Sequence, residues 1–330
     1  MKLVKNALVL GAGGFIGSHM VKRLKSEGYY VVGIDVKYPE FSKSHSDNFY
    51  ICDLTNKNEF DEIFRNEEKF HEIYQYAADM GGAGFIFTGE NDAKIMQSSV
   101  TINLNLISVI EKNYKTFDGV KIFYSSSACI YPQQIQEETD NPGLKEEFAY
   151  PANPDSEYGW EKLFSERLFT SFNRNLNLDV RIARFHNIYG PEGTWDGGKE
   201  KVPAAVCRKV AKSKETDEIE IWGDGKQTRS FLYIDDCIEA TRRLMDSNYL
   251  DPINIGSEEM VSINQLVEIV SRIAEKDIKI KHIDGPLGVR GRNSDNSLIK
   301  QVLDWNYAYS LQQGIKETYL WVEKQVKKQD

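Results

Sequence analysis

Four apolar residues, Ala7 to Leu10, pass directly into Gly11-Ala12-Gly13-Gly14-Phe15-Ile16-Gly17, and Ser18 to Lys25 follow at helical spacing. Strand, glycine-rich turn and helix in that order open a βαβ unit whose helix N-terminus aims unpaired N–H groups at a diphosphate. Gly11 allows the tight turn, Gly14 lets the backbone approach a pyrophosphate, and Gly17 lets helix and strand pack closely, with Phe15 and Ile16 in the first helical turn beside the ligand. Asp35 closes the expected second strand 18 residues after Gly17. A carboxylate there binds the adenosine ribose hydroxyls and repels a 2′-phosphate, which favours NAD over NADP, although Lys37 works against that preference. Asp53, followed by Leu54, either reaches the adenine edge or caps a helix near Thr55.

The rest of the first half repeats the pattern. Tyr30 to Ile34, Ile73 to Ala77, Lys121 to Tyr124 and Val180 to Arg184 are short apolar runs separated by amphipathic helical stretches. This predicts an α/β fold, a doubly wound parallel Rossmann sheet covered on both faces. From about Gly190 the pattern loosens into glycine- and proline-bearing loops, so residues 1–190 are expected to form the dinucleotide-binding domain and 191–330 a smaller substrate-binding part. Residues of about 229–256 are expected to pack back on the first domain. No apolar run nears the roughly 18 to 20 residues of a membrane span, and no secretory signal is recognised, so no membrane partner and a cytoplasmic location are expected. A net charge of −9 argues against nucleic acid. Cys52, Cys129, Cys207 and Cys237 show no paired spacing, so neither a metal nor disulfides are expected.

Tyr158 and Lys162 stand four apart on one face of an expected helix. A phenol at its ordinary pKa near 10 is a poor base, and bringing it to about 7 needs roughly 4 kcal/mol of preferential phenolate stabilisation, which a nearby ammonium and a cationic nicotinamide supply. Ser125-Ser126-Ser127, expected directly after a strand, places hydroxyls where α/β sheets bind ligands.

The glycine motif, Ser127, Tyr158 and Lys162 together resemble the extended short-chain dehydrogenase/reductase family, NAD-dependent enzymes acting largely on sugar nucleotides. Ala77-Ala78-Asp79-Met80-Gly81-Gly82, Ser126 to Pro132, Arg184 to Pro191, Gly198 to Ala205, Trp222 to Phe231 and Gly288 to Asn296 resemble the branch that epimerises carbons 3 and 5 of GDP-mannose, over nearly the whole chain. The resemblance implies that Tyr158 takes the 4-hydroxyl proton as carbon 4 is oxidised, that Ser127 hydrogen-bonds the reacting oxygen, and that Cys129 and Lys201 form the acid–base pair inverting the neighbouring carbons. It places Ala77 and Ala78 on NAD. It places Gly81, Ser127, Ala128, Cys129, Asn187, Glu200, Lys201, Val202, Lys209, Gln227, Thr228, Arg229 and Arg292 on the GDP-sugar. Homodimerisation through helices around 92–114 and 158–173 is also implied. The insertion near Phe87 to Asp92, and Val202 and Val206, depart from the pattern. Trp222 borders the base or joins the core, and His186 is structural. The weighed alternatives are a GDP-heptose 4-oxidase or epimerase, a 4,6-dehydratase, whose Asp-Glu pair is replaced here by Ala128 and Cys129, and a non-catalytic NAD-binding protein.

Overall fold

The computed structural model describes residues 4–67, 69–113, 119–140, 143–286 and 288–329. Six strands, β1 (Asn6–Leu10), β2 (Tyr30–Asp35), β3 (Asn48–Ile51), β4 (Glu72–Gln75), β5 (Lys121–Ser127) and β6 (Asp179–Phe185), join Ile253–Ile255 in one sheet. From Ile253–Ile255 the order is β6, β5, β4, β1, β2, β3, and all neighbours are parallel. The two-residue period of a strand divides β1 between two cores: Ala7 and Val9 pack with Met20, Val21 and Leu24 of the helix Phe15–Ser26 and Ile238 and Leu244 of Ile234–Asp246, whereas Leu8 and Leu10 pack with Phe60, Ile102, Leu106 and Phe169 on the other face. With both faces covered, the fold is the doubly wound Rossmann sheet expected from the apolar runs.

Two strand ends differ from the sequence reading by more than one residue. β4 stops at Gln75 because the Gln75 side chain takes over the next peptide group, accepting from the Ala77 N–H and donating to its carbonyl, each at 3.1 Å. β5 runs through all three serines, since its register against β6 continues as Ser125 with Ala183, Ser126 with Arg184 and Ser127 with Phe185. The chain leaves β1 to one side of the sheet and returns on the other through β4, so a crevice opens at their carboxyl ends.

Beyond the sheet, the helices Val202–Lys212, Ile263–Ile273 and Leu311–Gln329 share the first core. The strand Thr228–Ser230 lies between Met260–Ser262 and Gly291–Arg292, and the parallel register with the latter sets Arg229 beside Arg292. Among the described residues no helix is long and apolar enough to cross a membrane.

An ion pair locks the end of the sheet. Arg184 Nε and Nη2 donate to the two carboxylate oxygens of Glu166 at 3.0 and 2.9 Å, Ser126 Oγ donates to the same carboxylate, and both charged side chains are buried. Removing one partner would strand a charge in the interior. Arg184→Leu is therefore expected to lower stability by about 3 to 5 kcal/mol, read as a drop in the urea midpoint at unchanged slope.

Candidate active site

At the end of β1 the backbone is packed too tightly for side chains. Gly11 has φ +84°, and a Cβ there would lie 2.8 Å from the Ala77 nitrogen, while one at Gly17 would lie 2.1 Å from the Gly11 oxygen. Gly14 is the N-cap of Phe15–Ser26, with no side chain capping the helix and no acidic residue in its first turn. The sequence reading assigned no role to Gly13, where a Cβ would stand 2.0 Å from the Lys37 oxygen. The Gly13 N–H donates to Asp35 Oδ2 at 2.9 Å, so the turn and the acidic residue at the end of β2 are one unit. Burial pushes the Asp35 carboxyl up, against hydrogen bonds from the Lys37, Gly13 and Val36 N–H groups. A cradle of bare backbone at a helix N-terminus with a carboxylate beside it fits a dinucleotide. Ala77 lies just past β4. Leu54 is buried, and the exposed Asp53 turns its carboxylate onto the Thr55 N–H and hydroxyl, at 2.9 and 2.8 Å. The helix cap is not Asp53 but Asn56, whose side chain accepts from the Asn58 N–H.

Ser127 ends β5, and the three-ten turn Ala128–Ile130 follows, with the Cys129 N–H donating to Ser127 Oγ at 3.2 Å. Tyr158 is the second residue of the helix Glu157–Leu176, which Ser156 caps by accepting from the Gly159 N–H. At Gly159 a Cβ would lie 2.2 Å from the Cys129 oxygen, so only glycine lets this helix start against the turn, a signal present in the sequence but not used. Lys162 donates to the Ser125 carbonyl at 3.0 Å, and its ammonium lies 5.7 Å from the Tyr158 ring centre. Burial pushes the Lys162 ammonium down. Burial pushes the Tyr158 phenol up, with Cys129 and Glu161 adding to it, while a hydrogen bond with Ser127 and the Arg292 charge pull the other way.

The Cys129 side chain is walled by Tyr158, Ile86 and Ile95, with Met80, Phe85 and Phe87 packed against them. The residues read as an insertion thus begin at the wall of the site. Cys129 Sγ accepts from Arg292 Nη1 at 3.1 Å. Lys201 is the N-cap of Val202–Lys212, and burial pushes its ammonium down, opposed by electrostatic contact with Cys129 and Cys237. Its loop rests on bare backbone: the Gly82 N–H donates to the Lys199 carbonyl at 3.0 Å, and a Cβ on Gly82 would lie 2.3 Å from the Glu200 oxygen. Lys199 holds its ammonium 4.0 Å from the Phe85 ring centre.

Several residues placed on the substrate by resemblance have their polar groups on protein partners here. The Glu200 carboxylate accepts from the Gly198 N–H at 2.7 Å and pairs with Arg208 at 2.6 Å, a contact that fixes the loop. Asn187 Nδ2 donates to the Ser230 carbonyl (2.8 Å), Thr228 Oγ1 to the Thr139 carbonyl (2.6 Å) and Lys209 to the Glu220 carbonyl (2.5 Å). Arg292 is buried, with all its donor nitrogens on Gln136, Cys129 and Asp155, because its strand delivers it behind the Cys129 turn. Arg229 donates to the Val289 and Thr228 carbonyls, and burial, together with the adjacent Arg292 charge, lowers its guanidinium to about 9. Buried Gln227 donates to the Trp222 carbonyl, and its buried Oε1 has no hydrogen-bond partner among the described residues. Gly81 packs on Phe85, Ala128 is buried and Val202 half-buried. Trp222 stays 39% exposed, between Gly84 and Gly285, and does not join the core. His186 is fully buried, with Nε2 2.9 Å from Asn254 Oδ1, and burial pushes it down to about 3, a neutral structural histidine.

Residues 7–256 match the family model described as the NAD dependent epimerase/dehydratase family. The chain belongs to that family. It is 47% identical to a GDP-mannose 3,5-epimerase of Arabidopsis thaliana, covering 97% of this chain and 83% of the relative, and 29% identical to a UDP-glucuronate 4-epimerase of Thermodesulfobacterium geofontis, covering 97% and 96%. The structure of a UDP-glucose 4-epimerase from Thermotoga maritima, solved with UDP-glucose, superposes with a TM-score of 0.83 at 25% identity, covering 97% of this chain and 99% of that one. These findings bear out the fold, the enzyme class and NAD as the cofactor. Gly13→Ala should drive a methyl group into the Lys37 carbonyl and displace Asp35. The expected result is NAD binding weakened about tenfold or more, about 1.4 kcal/mol, by calorimetry.

Proposed function

We propose that this enzyme inverts carbons 3 and 5 of GDP-mannose through a transient 4-keto sugar. The observation that carries the reading is that Tyr158 and Lys162 gather beside Cys129 at the end of β5, with the buried Lys201 within electrostatic reach of the sulfur. Tyr158 and Lys162 suit oxidation at carbon 4, and Cys129 and Lys201 form a second pair that oxidation alone does not need. The Arabidopsis thaliana relative named GDP-mannose 3,5-epimerase, identical at 47% of positions, supports the same substrate.

The Gly11–Gly17 turn and Asp35 would hold NAD, which when bound takes up and later returns a hydride. Tyr158 accepts the proton of the 4-hydroxyl, Ser127 hydrogen-bonds the oxygen, and the Lys162 ammonium favours the phenolate. A ketone at carbon 4 acidifies the hydrogens on carbons 3 and 5. Cys129 and Lys201 then remove and return protons on the two faces of the ring, and Tyr158 returns its proton when carbon 4 is reduced. Arg229 and Arg292, on adjacent strands, would supply positive charge toward a diphosphate, and Asn187, Lys209, Gln227 and Thr228 would exchange the protein carbonyls they hold here for the nucleotide. A 4,6-dehydratase is disfavoured because Ala128 and Cys129 stand in place of its Asp-Glu pair, so the carboxyl groups it uses to eliminate water are absent there.

On this reading residues 1–190 bind NAD, with residues of about 229–256 packed back on that domain, and 191–330 bind the nucleotide sugar. Leu104, Trp160 and Phe164 are exposed apolar residues on the packed helices Asp92–Lys112 and Glu157–Leu176, which supports a homodimer through those helices. Four buried free thiols suit the reducing cytoplasm.

The test is NMR of GDP-mannose incubated with enzyme and NAD in heavy water. Deuterium at carbons 3 and 5 with new isomers is expected, whereas oxidation without exchange would favour a 4-oxidase or a heptose substrate. Cys129→Ala and Lys201→Ala should retain absorbance of reduced nicotinamide while losing exchange at least about a hundredfold, and Tyr158→Phe should lose both. Equal loss of both signals in the Cys129 and Lys201 variants would sink their assignment.

A further inference from the structure

Arg292 joins three segments far apart in the chain. Nε donates to Gln136 Oε1 at 2.6 Å, Nη1 to Cys129 Sγ at 3.1 Å and Nη2 to Asp155 Oδ2 at 2.5 Å. Gln136 is fully buried and braced, since its amide donates to the Tyr131 and Pro132 carbonyls and its own carbonyl accepts from the Arg290 and Gly291 N–H groups. The guanidinium therefore sits in a fixed frame. Asp155 is also buried, and its second oxygen accepts from the Ser156 hydroxyl at 3.0 Å.

Arg292 bonds the sulfur directly, and the groups that act on it electrostatically are Arg229 on the adjacent strand, Lys162 and the Tyr158 phenol on the helix Glu157–Leu176, and Lys201 at the start of Val202–Lys212. Glu161 and Glu166 act on Lys162, and Asp155 is the carboxylate bonded to the guanidinium that holds the sulfur. A thiolate surrounded only by cations forms readily but is a weak base, because the charges that stabilise it oppose its taking a proton. A guanidinium divided between two anions opposes it less.

We propose that Asp155 is a positioning residue that, acting through Arg292, keeps the Cys129 sulfur basic enough to remove a proton from carbon. The reaction it serves is the epimerisation proposed above, and the inference rests on that reading for the step itself. In that step the thiolate takes the proton beside the ketone, the carbon–hydrogen electron pair moves into the carbonyl to give an enolate, and the Lys201 ammonium protonates the carbon from the other face. The sulfur is left protonated and Lys201 neutral, and exchange with solvent resets both.

The test is the rate of iodoacetamide alkylation of Cys129 against pH, read on the Cys129 peptide by mass spectrometry in the full chain, for wild type, Asp155→Asn and Asp155→Glu. Asparagine keeps an acceptor for Arg292 and removes the charge. The midpoint is expected to fall by about one pH unit in Asp155→Asn and to stay at the wild-type value in Asp155→Glu. Deuterium incorporation into GDP-mannose should fall about tenfold in Asp155→Asn, with absorbance of reduced nicotinamide held within about twofold. A midpoint that stays or rises in Asp155→Asn overturns the proposal, a rise being what loss of a mere anchor for Arg292 would give. If Asp155→Asn does not fold, a midpoint displaced by about a unit in Asp155→Glu overturns it instead. A lowered midpoint alongside a wild type that leaves GDP-mannose unexchanged supports this proposal and removes the substrate reading.

Discussion

The constraint behind this structure is that a parallel sheet covered on both faces has nowhere to put polar chemistry except the ends of its strands. β1, β4, β5 and β6 are buried along most of their length. Gly11, Ala77, Ser127 and His186 are where each in turn meets the crevice. Helices begin there as well, so backbone N–H groups and the first turns carrying Tyr158 and Val202 point into the same space. The candidate active site lies at these strand ends, where the packing of the sheet gives way to side chains and backbone groups that meet the crevice.

Charges in that region are arranged by burial as much as by pairing. Desolvation pulls Lys162 and Lys201 down, toward the range where an ammonium can give up its proton, and pushes Tyr158 up, against the phenolate, which the Ser127 hydrogen bond and the Arg292 charge favour. Arg184 and Arg292 stay charged in the interior because each has a carboxylate at hydrogen-bond distance, Glu166 and Asp155. The first pair fastens the sheet to the helix Glu157–Leu176, and the second fastens the strand Gly291–Arg292 to the segment that leads into the same helix.

Local pattern carried the sheet, the glycine turn and the Tyr158–Lys162 pair, because each is written in spacings of two to seven residues. It failed where a position is decided by something distant in sequence. Gly13 and Gly159 look like ordinary small residues until the Lys37 and Cys129 carbonyls are brought against them. The extension of β5 through Ser127 needed β6 beside it. Arg292 reads as one cation among several for a phosphate, and only the fold reveals that Gln136 and Asp155, more than 130 residues earlier, hold its donors against Cys129. Glu200 likewise reads as a ligand, while its carboxylate closes its own loop.

The loop before Lys201 rests on Gly82 backbone to backbone, and Lys199 lies over the ring of Phe85. The aromatic wall beside Cys129 and the loop that carries Lys201 are thus one packed unit, held by backbone on one side and by a cation over a ring on the other. A side chain at position 82 would be felt at Lys201 as well as at the wall, although the two segments lie far apart in the chain.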